Sequence, residues 1–139
     1  MRIEQLKMRP LIHIGYRDSE AKISINMINK GAGPLMITKY YFQNEKDPSD
    51  IKPHIFDLLN KNYMYDNYSG NQINTVLSAG ATVNLFRLEG NPSEKEYKKV
   101  KNSIREEFSK YKIVIEYKDV YDKQMPRYER SLEWFGRNI

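Results

Sequence analysis

The stretch "AKISINMIN", residues 21–29, alternates apolar and polar side chains and decides the class of fold. In an extended chain, Ile23, Ile25 and Met27 fall on one side, whereas the polar residues between them fall on the other. This period is typical of a β-strand with one buried face. The chain is therefore expected to be mainly β.

The segment before it has the same period. In "PLIHIGY", residues 10–16, the side chains of Ile12, Ile14 and Tyr16 share one face. The polar stretch "RDSE" separates the two segments and can turn the chain. An antiparallel pair of strands is therefore predicted for residues 10–29.

Further strands are predicted along the chain. "LMITKYYFQ", residues 35–43, is apolar on both faces, as expected of a strand that is covered on both sides or flanked by aromatics. "INTVL" and "ATVNLFRL" follow, joined by "SAG", whose Gly80 can take a positive φ. "KIVIEY" and "RYERSLEWF" come last. About seven strands result, which is within the range of an antiparallel β-sandwich of seven to eight strands.

One long and one short helical insertion are also predicted. In residues 91–111, Asn91 stands as N-cap, Pro92 at the first helical position and Glu94 as the partner in a capping box. The apolar residues of this helix form one stripe: Tyr97, Val100, Ile104, Phe108 and Tyr111. Its basic residues are expected to form a solvated outer face: Lys95, Lys98, Lys99, Lys101 and Arg105.

The short helix is predicted within "SDIKPHIFDLLN", residues 49–60. Its apolar residues share one face of a helical wheel: Ile51, Ile55, Leu58 and Leu59. Pro53 lies in the first turn, where a proline is tolerated.

Composition limits the function classes. The 139 residues suit one domain, which we place at 9–139 after a lead-in or juxtamembrane segment at 1–8. The chain has no cysteine, so disulfides, thiolate zinc sites and cysteine nucleophiles are excluded. The net charge of +5 comes from 23 basic and 18 acidic residues that are interspersed, so no nucleic-acid partner is predicted.

A glycine-containing loop, "NKGAGPLMI" at residues 29–37, could in principle cradle a phosphate. A phosphate loop needs a helix after it, but a β-prone segment follows Pro34. The loop is therefore interpreted as a turn, in which Gly31 and Gly33 supply unusual dihedral angles and Pro34 fixes the entry to the next strand.

Catalytic and metal-binding patterns are weak. His13 and His54 lie on different elements without a second ligand at metal-binding spacing. Three carboxylates gather at Glu116, Asp119 and Asp122, but lysines lie among them and Asp is a common turn former. We therefore expect neither an enzyme nor a resident cofactor.

Tyrosine is the unusual abundance, with 11 in the chain. Tyr63, Tyr65 and Tyr68 lie close together in a polar, loop-like stretch. Tyrosines on a loop offer rigid amphipathic contact area to a protein or carbohydrate, and these three are the predicted partner-binding residues. The alternative is that they cover one end of the sandwich core.

Several turn motifs carry a family resemblance. They are an opening "RP" at Arg9 and Pro10, "N-x-G-x-GP" at Asn29, Gly31, Gly33 and Pro34, a "PG"-like turn at Ala79 and Gly80, and "Y-x-D-x-Y" at Tyr117, Asp119 and Tyr121. In this order they resemble the soluble, immunoglobulin-like domain of a group of uncharacterised bacterial proteins that often carry a membrane helix just before it. One departure is Asp122, which stands where that group has glycine.

The resemblance implies an immunoglobulin-like sandwich and no catalytic residues. It also implies a membrane helix before the "RP" strand, and the positive charges at Arg2, Lys7 and Arg9 would then place the domain on the cytoplasmic side. Without such an anchor the protein is expected in the cytoplasm. The expected function is a non-catalytic interaction or sensory module with a protein partner, and the alternative is a small-ligand-binding receptor domain.

Overall fold

The computed structural model describes residues 9–59 and 67–138. In chain order the strands are β1 (Ile12–Ser19), β2 (Lys22–Asn29), β3 (Leu35–Asn44), β4 (Ile51–Lys52), β5 (Asn67–Tyr68), β6 (Val76–Leu77), β7 (Thr82–Glu89), β8 (Tyr111–Asp119) and β9 (Tyr128–Ser131). One α-helix, α1 (Lys95–Ser109), lies between β7 and β8, and two 3₁₀ helices lie at Ile55–Leu58 and Glu133–Asn138. In these ranges, no helix is both long enough and apolar enough to cross a bilayer.

The strands form two antiparallel sheets, which confirms the predicted mainly β class. The first sheet has the order β1-β2-β7-β5. The second has the order β4-β3-β8-β9, and β6 also pairs with β3. The predicted β1–β2 pair is confirmed, but its strands extend further than predicted, because Ser19 pairs with Lys22 and the turn is left to residues 20 and 21.

The inward faces of both sheets share one apolar core. Ile23, Ile25 and Met27 are fully buried, as the alternation predicts. Apolar residues occur on both faces of β3 because its pairing with β8 shifts register between Ile37 and Lys39. The shift changes the parity of the strand, so that Leu35 and Ile37 face the core before it and Tyr40 and Phe42 after it.

Three tyrosine hydroxyls connect β1 to the second sheet. The amide of Ile12 donates to the hydroxyl of Tyr117 at 3.4 Å, and the amide of Ile14 donates to that of Tyr128 at 3.1 Å. The Tyr16 hydroxyl donates to the carbonyl of Ser131 at 2.9 Å. The edge of β1 is thus closed by side chains, which protects it from pairing with another chain.

The long helix is confirmed, but its predicted start is wrong. The helix begins at Lys95, and Glu94 is the N-cap without a side-chain capping bond. Asn91 instead closes a separate turn, since its Oδ1 accepts hydrogen bonds from the amide and hydroxyl of Ser93 at 3.0 and 2.7 Å. The predicted stripe is buried throughout: Tyr97, Val100, Ile104, Phe108 and, in β8, Tyr111.

The predicted short helix at residues 49–60 is replaced by two short elements. Ile51 lies in β4, where it pairs with Gln43 of β3, and it is 49% exposed. Of residues 49–59, only the four at Ile55–Leu58 are helical, and they form a 3₁₀ turn. Pro53 explains the difference, because the residue before a proline is driven away from helical dihedral angles. Ile55, Leu58 and Leu59 are nevertheless buried, as the pattern predicts.

The last predicted strand also ends early. β9 stops at Ser131, and a 3₁₀ helix follows where "RYERSLEWF" predicts an extended chain. A 3₁₀ helix places residues i and i+3 on one side, so Leu132 and Phe135 are both buried. Trp134, between them, is left 36% exposed at the surface.

Candidate functional site

The glycine loop is organised by the side chain of Asn29, which is fully buried at the end of β2. Its Nδ2 donates to the carbonyls of Gly33 at 2.8 Å and Leu77 at 3.0 Å. Its Oδ1 accepts from the amides of Gly31 at 3.0 Å and Leu11 at 3.2 Å. We call this centre the Asn29 lock. It joins three chain segments and leaves no donor for a phosphate on the Asn29 side chain.

The loop is a turn, as predicted, but the predicted role of Gly31 is wrong. Its φ lies outside the left-handed region, whereas Gly80 has a φ of 78°. Gly31 is required for close approach, since an added Cβ would lie 2.4 Å from the carbonyl oxygen of Arg9. The amide of Ala32 donates to that same oxygen at 3.0 Å, so the "RP" segment and the glycine loop are packed directly together.

The predicted carboxylate group serves the β8–β9 connection. Asp119 Oδ1 accepts from the amides of Tyr121 and Lys123, both at 2.9 Å, which is the turn-forming role that Asp commonly has. Asp122 pairs with Lys118 and adopts a φ of 64°. Glu116 pairs across the sheet with Lys39 at 3.8 Å. The three carboxylates thus act separately.

The histidines lie apart from each other and from these carboxylates. His13 is half-buried on β1, and His54 is exposed before the first 3₁₀ helix. Burial lowers the pKa of His13 below its ordinary value, and the charges of Lys30 and Arg130 act in the same direction. In the part of the chain that the structure describes, no group of three or more His, Asp or Glu side chains is placed to hold a metal ion.

Of the predicted partner-binding tyrosines, Tyr63 and Tyr65 lie outside the described residues. Tyr68 is 43% exposed in β5, where it pairs with Phe86 of β7. Its ring stacks on that of Phe56, with 5.3 Å between centroids and 25° between planes. Phe56 packs against the core, so Tyr68 has one face toward the domain while part of its surface remains accessible.

A charged cluster at the other end of the β1–β2 hairpin was not predicted. The carboxylate of Asp18 has no solvent exposure and is surrounded by three cations, which we call the Asp18 cluster. Arg105 binds it in a bidentate manner, with Nε at 2.8 Å from Oδ2 and Nη2 at 2.7 Å from Oδ1. Lys101 Nζ lies 3.5 Å from Oδ1, and Arg137 Nη1 lies 3.7 Å from Oδ2.

This cluster corrects the prediction of a uniformly solvated helix face. The side chain of Lys101 is only 5% exposed and that of Arg105 only 15%. Lys101 Nζ also donates to the carbonyls of Ser19 and Glu20, so it is fully engaged by the hairpin. Burial alone would raise the pKa of Asp18, but the hydrogen bonds and charge of Arg105, with the charge of Lys101, hold it below its ordinary value.

A cleft of about 1190 Å³ opens beside the Asp18 cluster. Its walls come from Tyr16 of β1, residues 44–47 at the end of β3, the end of α1, β9 and the second 3₁₀ helix. We call it the Trp134 cleft, after the single tryptophan of the chain, which lines it. Four segments that are distant in sequence, at residues 16, 44–47, 109–110 and 130–137, therefore meet at one concave surface.

The aromatic wall of the cleft is a stack of four side chains. The rings of Tyr16 and Trp134 lie 5.0 Å apart with 23° between their planes. The guanidinium of Arg137 lies 3.4 Å from the Trp134 ring centroid, and that of Arg130 lies 4.9 Å from the Tyr16 centroid. Arg130 Nε also donates to the Tyr16 hydroxyl at 2.8 Å. The two arginines thus hold the ring pair by cation–π contacts.

The charged residues of the cleft differ in how they are engaged. Arg137 pairs with Asp18, and Lys110 pairs with Glu107 at 2.9 Å. Arg130 and Lys46, in contrast, form no ion pair with any carboxylate of residues 9–59 or 67–138. The carboxylates of the wall, which belong to Glu45, Asp47 and Glu133, likewise form no ion pair within the described residues, so the cleft presents unpaired charges of both signs.

Sequence reasoning missed both Trp134 and Arg130, because "RYERSLEWF" fits a strand throughout. A weak signal was present in the chain's one tryptophan, which follows a strand rich in Arg and Tyr near the end of the sequence. Its position beside Tyr16 could not be read from the pattern. That position depends on the end of β9 and on the β1–β9 approach, which are tertiary features.

A comparison of the chain with protein-family models gives no match, and comparisons with curated proteins and with solved structures likewise give no significant match.

Proposed function

We propose that this protein is a non-catalytic interaction module that binds a segment of a protein partner in the Trp134 cleft. The observation that carries the proposal is the cleft itself, a concave surface walled by a fixed aromatic–arginine stack. Tyrosine, tryptophan and arginine are the residues that dominate binding energy at protein interfaces. The cleft thus has the composition of an interface centre.

The size of the cleft favours a peptide segment over a small molecule. Pockets for small ligands usually enclose about 300–1,000 Å³ and bury most of the ligand. The Trp134 cleft, at about 1190 Å³, exceeds that range and is open to solvent. An extended segment of a partner chain would contact several of its walls at once.

The strand order supports an immunoglobulin-like sandwich as the architecture behind this module. The order β1-β2-β7-β5 corresponds to strands A-B-E-D of that fold, and β3-β8-β9 corresponds to C-F-G. We include this assignment in the proposal, with β4 as an additional edge strand next to β3. Domains of this kind commonly serve in recognition, but that is an analogy of fold only.

The non-catalytic part of the proposal is supported by the engagement of the ionisable groups. Lys101, the lysine of the Asp18 cluster, is held by Asp18 and two backbone carbonyls, and Asp119 holds a turn. These groups are committed to structure rather than aligned as nucleophile, base and orienting group. A membrane anchor upstream of Met1, with the domain facing the cytoplasm, also remains part of the proposal.

A selection from a library of random dodecapeptides displayed on phage tests the proposed function. Recovered peptides should bind the wild-type protein and lose at least about tenfold in affinity with Trp134→Ala, since aromatic hot spots cost about 2 kcal/mol or more when truncated. Tyr121→Ala is the matched control, because Tyr121 is also exposed, at 46%, but belongs to the β8–β9 connection. Equal losses in both variants, or a loss only with Tyr121→Ala, would contradict the assignment of the cleft.

A small-ligand receptor is the second candidate, and the concave shape of the cleft favours it over a flat binding patch. A thermal-shift screen with nucleotides, sugars and metal ions tests it. A compound at a hundredfold its Kd should stabilise the fold by roughly 2.7 kcal/mol. Stabilisation that disappears with Trp134→Ala, in a protein that yields no peptides, would replace the first candidate by the second.

A further inference from the structure

We infer that Asp18 determines the affinity of the Trp134 cleft without touching the ligand, because it holds Arg137 against the ring of Trp134. The inference rests on the proposed function, since it names a positioning residue for the segment that the cleft binds. The side chain of Asp18 has no solvent exposure, and Asp18 is not among the residues that line the cleft. Its effect on binding therefore passes through other side chains.

The first argument is that one side chain connects Asp18 to the tryptophan. Arg137 Nη1 lies 3.7 Å from Asp18 Oδ2, and Arg137 Nη2 donates to the Asp18 carbonyl at 3.4 Å. The same guanidinium lies 3.4 Å from the centroid of the Trp134 ring, and its Nη1 donates to the Trp134 carbonyl at 3.2 Å. A single planar group therefore contacts the carboxylate and the ring at the same time.

The second argument is that two short sequence patterns match each other. Tyr16 and Asp18 are two residues apart on β1, so their side chains lie on the same side of the strand. Trp134 and Arg137 are three residues apart in the second 3₁₀ helix, a spacing that places both side chains on one side of that helix. The Tyr16 ring stacks on Trp134 with 5.0 Å between centroids, and Asp18 pairs with Arg137. Strand β1 thus supplies a partner to each member of the tryptophan–arginine pair.

The third argument is that the rest of the cluster fixes Asp18 independently of Arg137. Arg105 binds the carboxylate in a bidentate manner at 2.7 and 2.8 Å, and Lys101 Nζ lies 3.5 Å from Oδ1. Both of these cations lie on α1, and neither lines the cleft. The carboxylate is therefore a fixed anchor for the Arg137 side chain, which is itself 36% exposed.

Peptide binding to the full chain tests the inference, with a peptide recovered from the selection. Asp18→Asn should weaken binding about fivefold or more, because side chains that are no longer held must be ordered on association. In an Arg137→Gln background the same substitution should change the affinity less than about twofold, since its effect passes through the side chain already removed. Lys101→Met is the matched control. It removes another partner of Asp18 but leaves the pair with Arg137, so it should change the affinity less than about twofold.

The fluorescence of Trp134 gives a second readout that needs no ligand, because the chain contains one tryptophan. Quenching by acrylamide, which is uncharged, should increase in Asp18→Asn and in Arg137→Gln. It should stay at the wild-type level in Lys101→Met. If Asp18→Asn fails to fold, Arg137→Gln, which changes a surface side chain, decides the inference by the same two measurements. Stronger quenching with weaker binding would support the inference, and wild-type values would overturn it.

The outcomes separate this inference from the proposed function. Peptides that depend on Trp134 but bind Asp18→Asn as well as wild type, or unchanged quenching in that variant, would overturn the inference and leave the function standing. Additive losses in the double variant, or equal effects of Asp18→Asn and Lys101→Met, would also overturn it, because Asp18 would then act through general stability. If no recovered peptide depends on Trp134, both are overturned.

Discussion

Two buried polar centres occupy opposite ends of the same hairpin and differ in how they are made. The Asn29 lock lies where Asn29 pairs with Ile12, and the Asp18 cluster lies where Asp18 pairs with Ile23. The lock is a neutral amide with four hydrogen bonds to backbone groups. The cluster is a carboxylate surrounded by three cations. The lock satisfies the hydrogen bonds of backbone groups around a turn, whereas the cluster holds three elements together by ion pairs.

The two centres hold different parts of the molecule in place, and only the Asp18 cluster adjoins the Trp134 cleft. The lock secures the "RP" segment, the glycine loop and the end of β6, and none of these lines the Trp134 cleft. The cluster secures the hairpin, α1 and the second 3₁₀ helix, and the last of these carries Trp134. We therefore expect mutations at both ends to affect stability, but only the Asp18 end to adjoin the binding surface.

The largest effect is expected from Asp18→Ala. It leaves Lys101, whose side chain is 5% exposed, as a buried cation without its carboxylate. Breaking a buried pair in this way costs about 3–5 kcal/mol of unfolding free energy. Urea denaturation of the wild type and the variant measures the loss. Lys101→Met is the matched control and should cost less, because Asp18 keeps Arg105; a larger loss with Lys101→Met would refute this reading of the cluster.

The next largest effect is expected from Asn29→Ala, which should lower the free energy of unfolding by about 2–4 kcal/mol. It leaves the carbonyls of Gly33 and Leu77 and the amide of Gly31 without their partner, and buried unsatisfied groups cost about 1–3 kcal/mol each before relaxation. Chemical denaturation again gives the value. Asn91→Ala, in an exposed turn, serves as control and should cost no more than about 1 kcal/mol. Similar losses for the two asparagines would remove the lock from the account.

The close packing beside the lock predicts a smaller effect for Gly31→Ala. The added methyl group would lie within 2.5 Å of backbone atoms of Arg9, Pro10 and Leu11, and relieving such overlap costs typically about 1–3 kcal/mol. Gly70→Ala is the control, since nothing lies within 4 Å of its added Cβ and its φ is not in the left-handed region. Thermal unfolding should show a lower Tm for the first variant and an unchanged or slightly higher Tm for the second.

The same comparison explains what the sequence could predict. The lock is local, because Asn29 contacts Gly31 and Gly33 two and four residues away, so a turn was predictable from the short motif. The burial of Ile23, Ile25 and the stripe of α1 was predictable from period alone. The cluster joins Asp18 to a residue 87 positions later, and no spacing rule connects them.

The Trp134 cleft was unpredictable for a related reason. The segment "RYERSLEWF" alternates like a strand, but the burial of Leu132 and Phe135 at i and i+3 selects a 3₁₀ helix. That choice depends on Phe108, whose ring lies 5.3 Å from that of Phe135. The exposure of Trp134 thus follows from packing against α1, which the local pattern does not contain.

The smallest effect is expected on lowering the pH, which should reduce the stability contributed by the Asp18 cluster and leave that of the Asn29 lock unchanged. Because the folded pKa of Asp18 lies below its ordinary value of 3.8, its ionisation stabilises the fold fully above that pH. This contribution decreases as pH falls below 3.8 and is lost once pH passes the folded pKa. The stability difference between wild type and Asp18→Asn should therefore narrow in acid, measured by urea unfolding at several pH values.

The neutral lock provides the control for that series. Asn29 has no titrating group, so the difference between wild type and Asn29→Ala should stay constant over the same pH range. A narrowing of equal size in both variants would mean that acid weakens the whole domain, and the specific role of Asp18 ionisation would be contradicted.

The most direct test of the account is an amide chemical-shift titration of the ¹⁵N-labelled wild-type protein with a peptide recovered from the selection. The account predicts shifts concentrated at residues 44–47, 109–110 and 130–137 and at Tyr16, the walls of the Trp134 cleft. It predicts little change at residues 29–33 and 77–81 around the Asn29 lock. Shifts centred on the lock, or on Tyr68, with the cleft unchanged, would contradict the claim that the Asp18 end of the hairpin carries the binding surface.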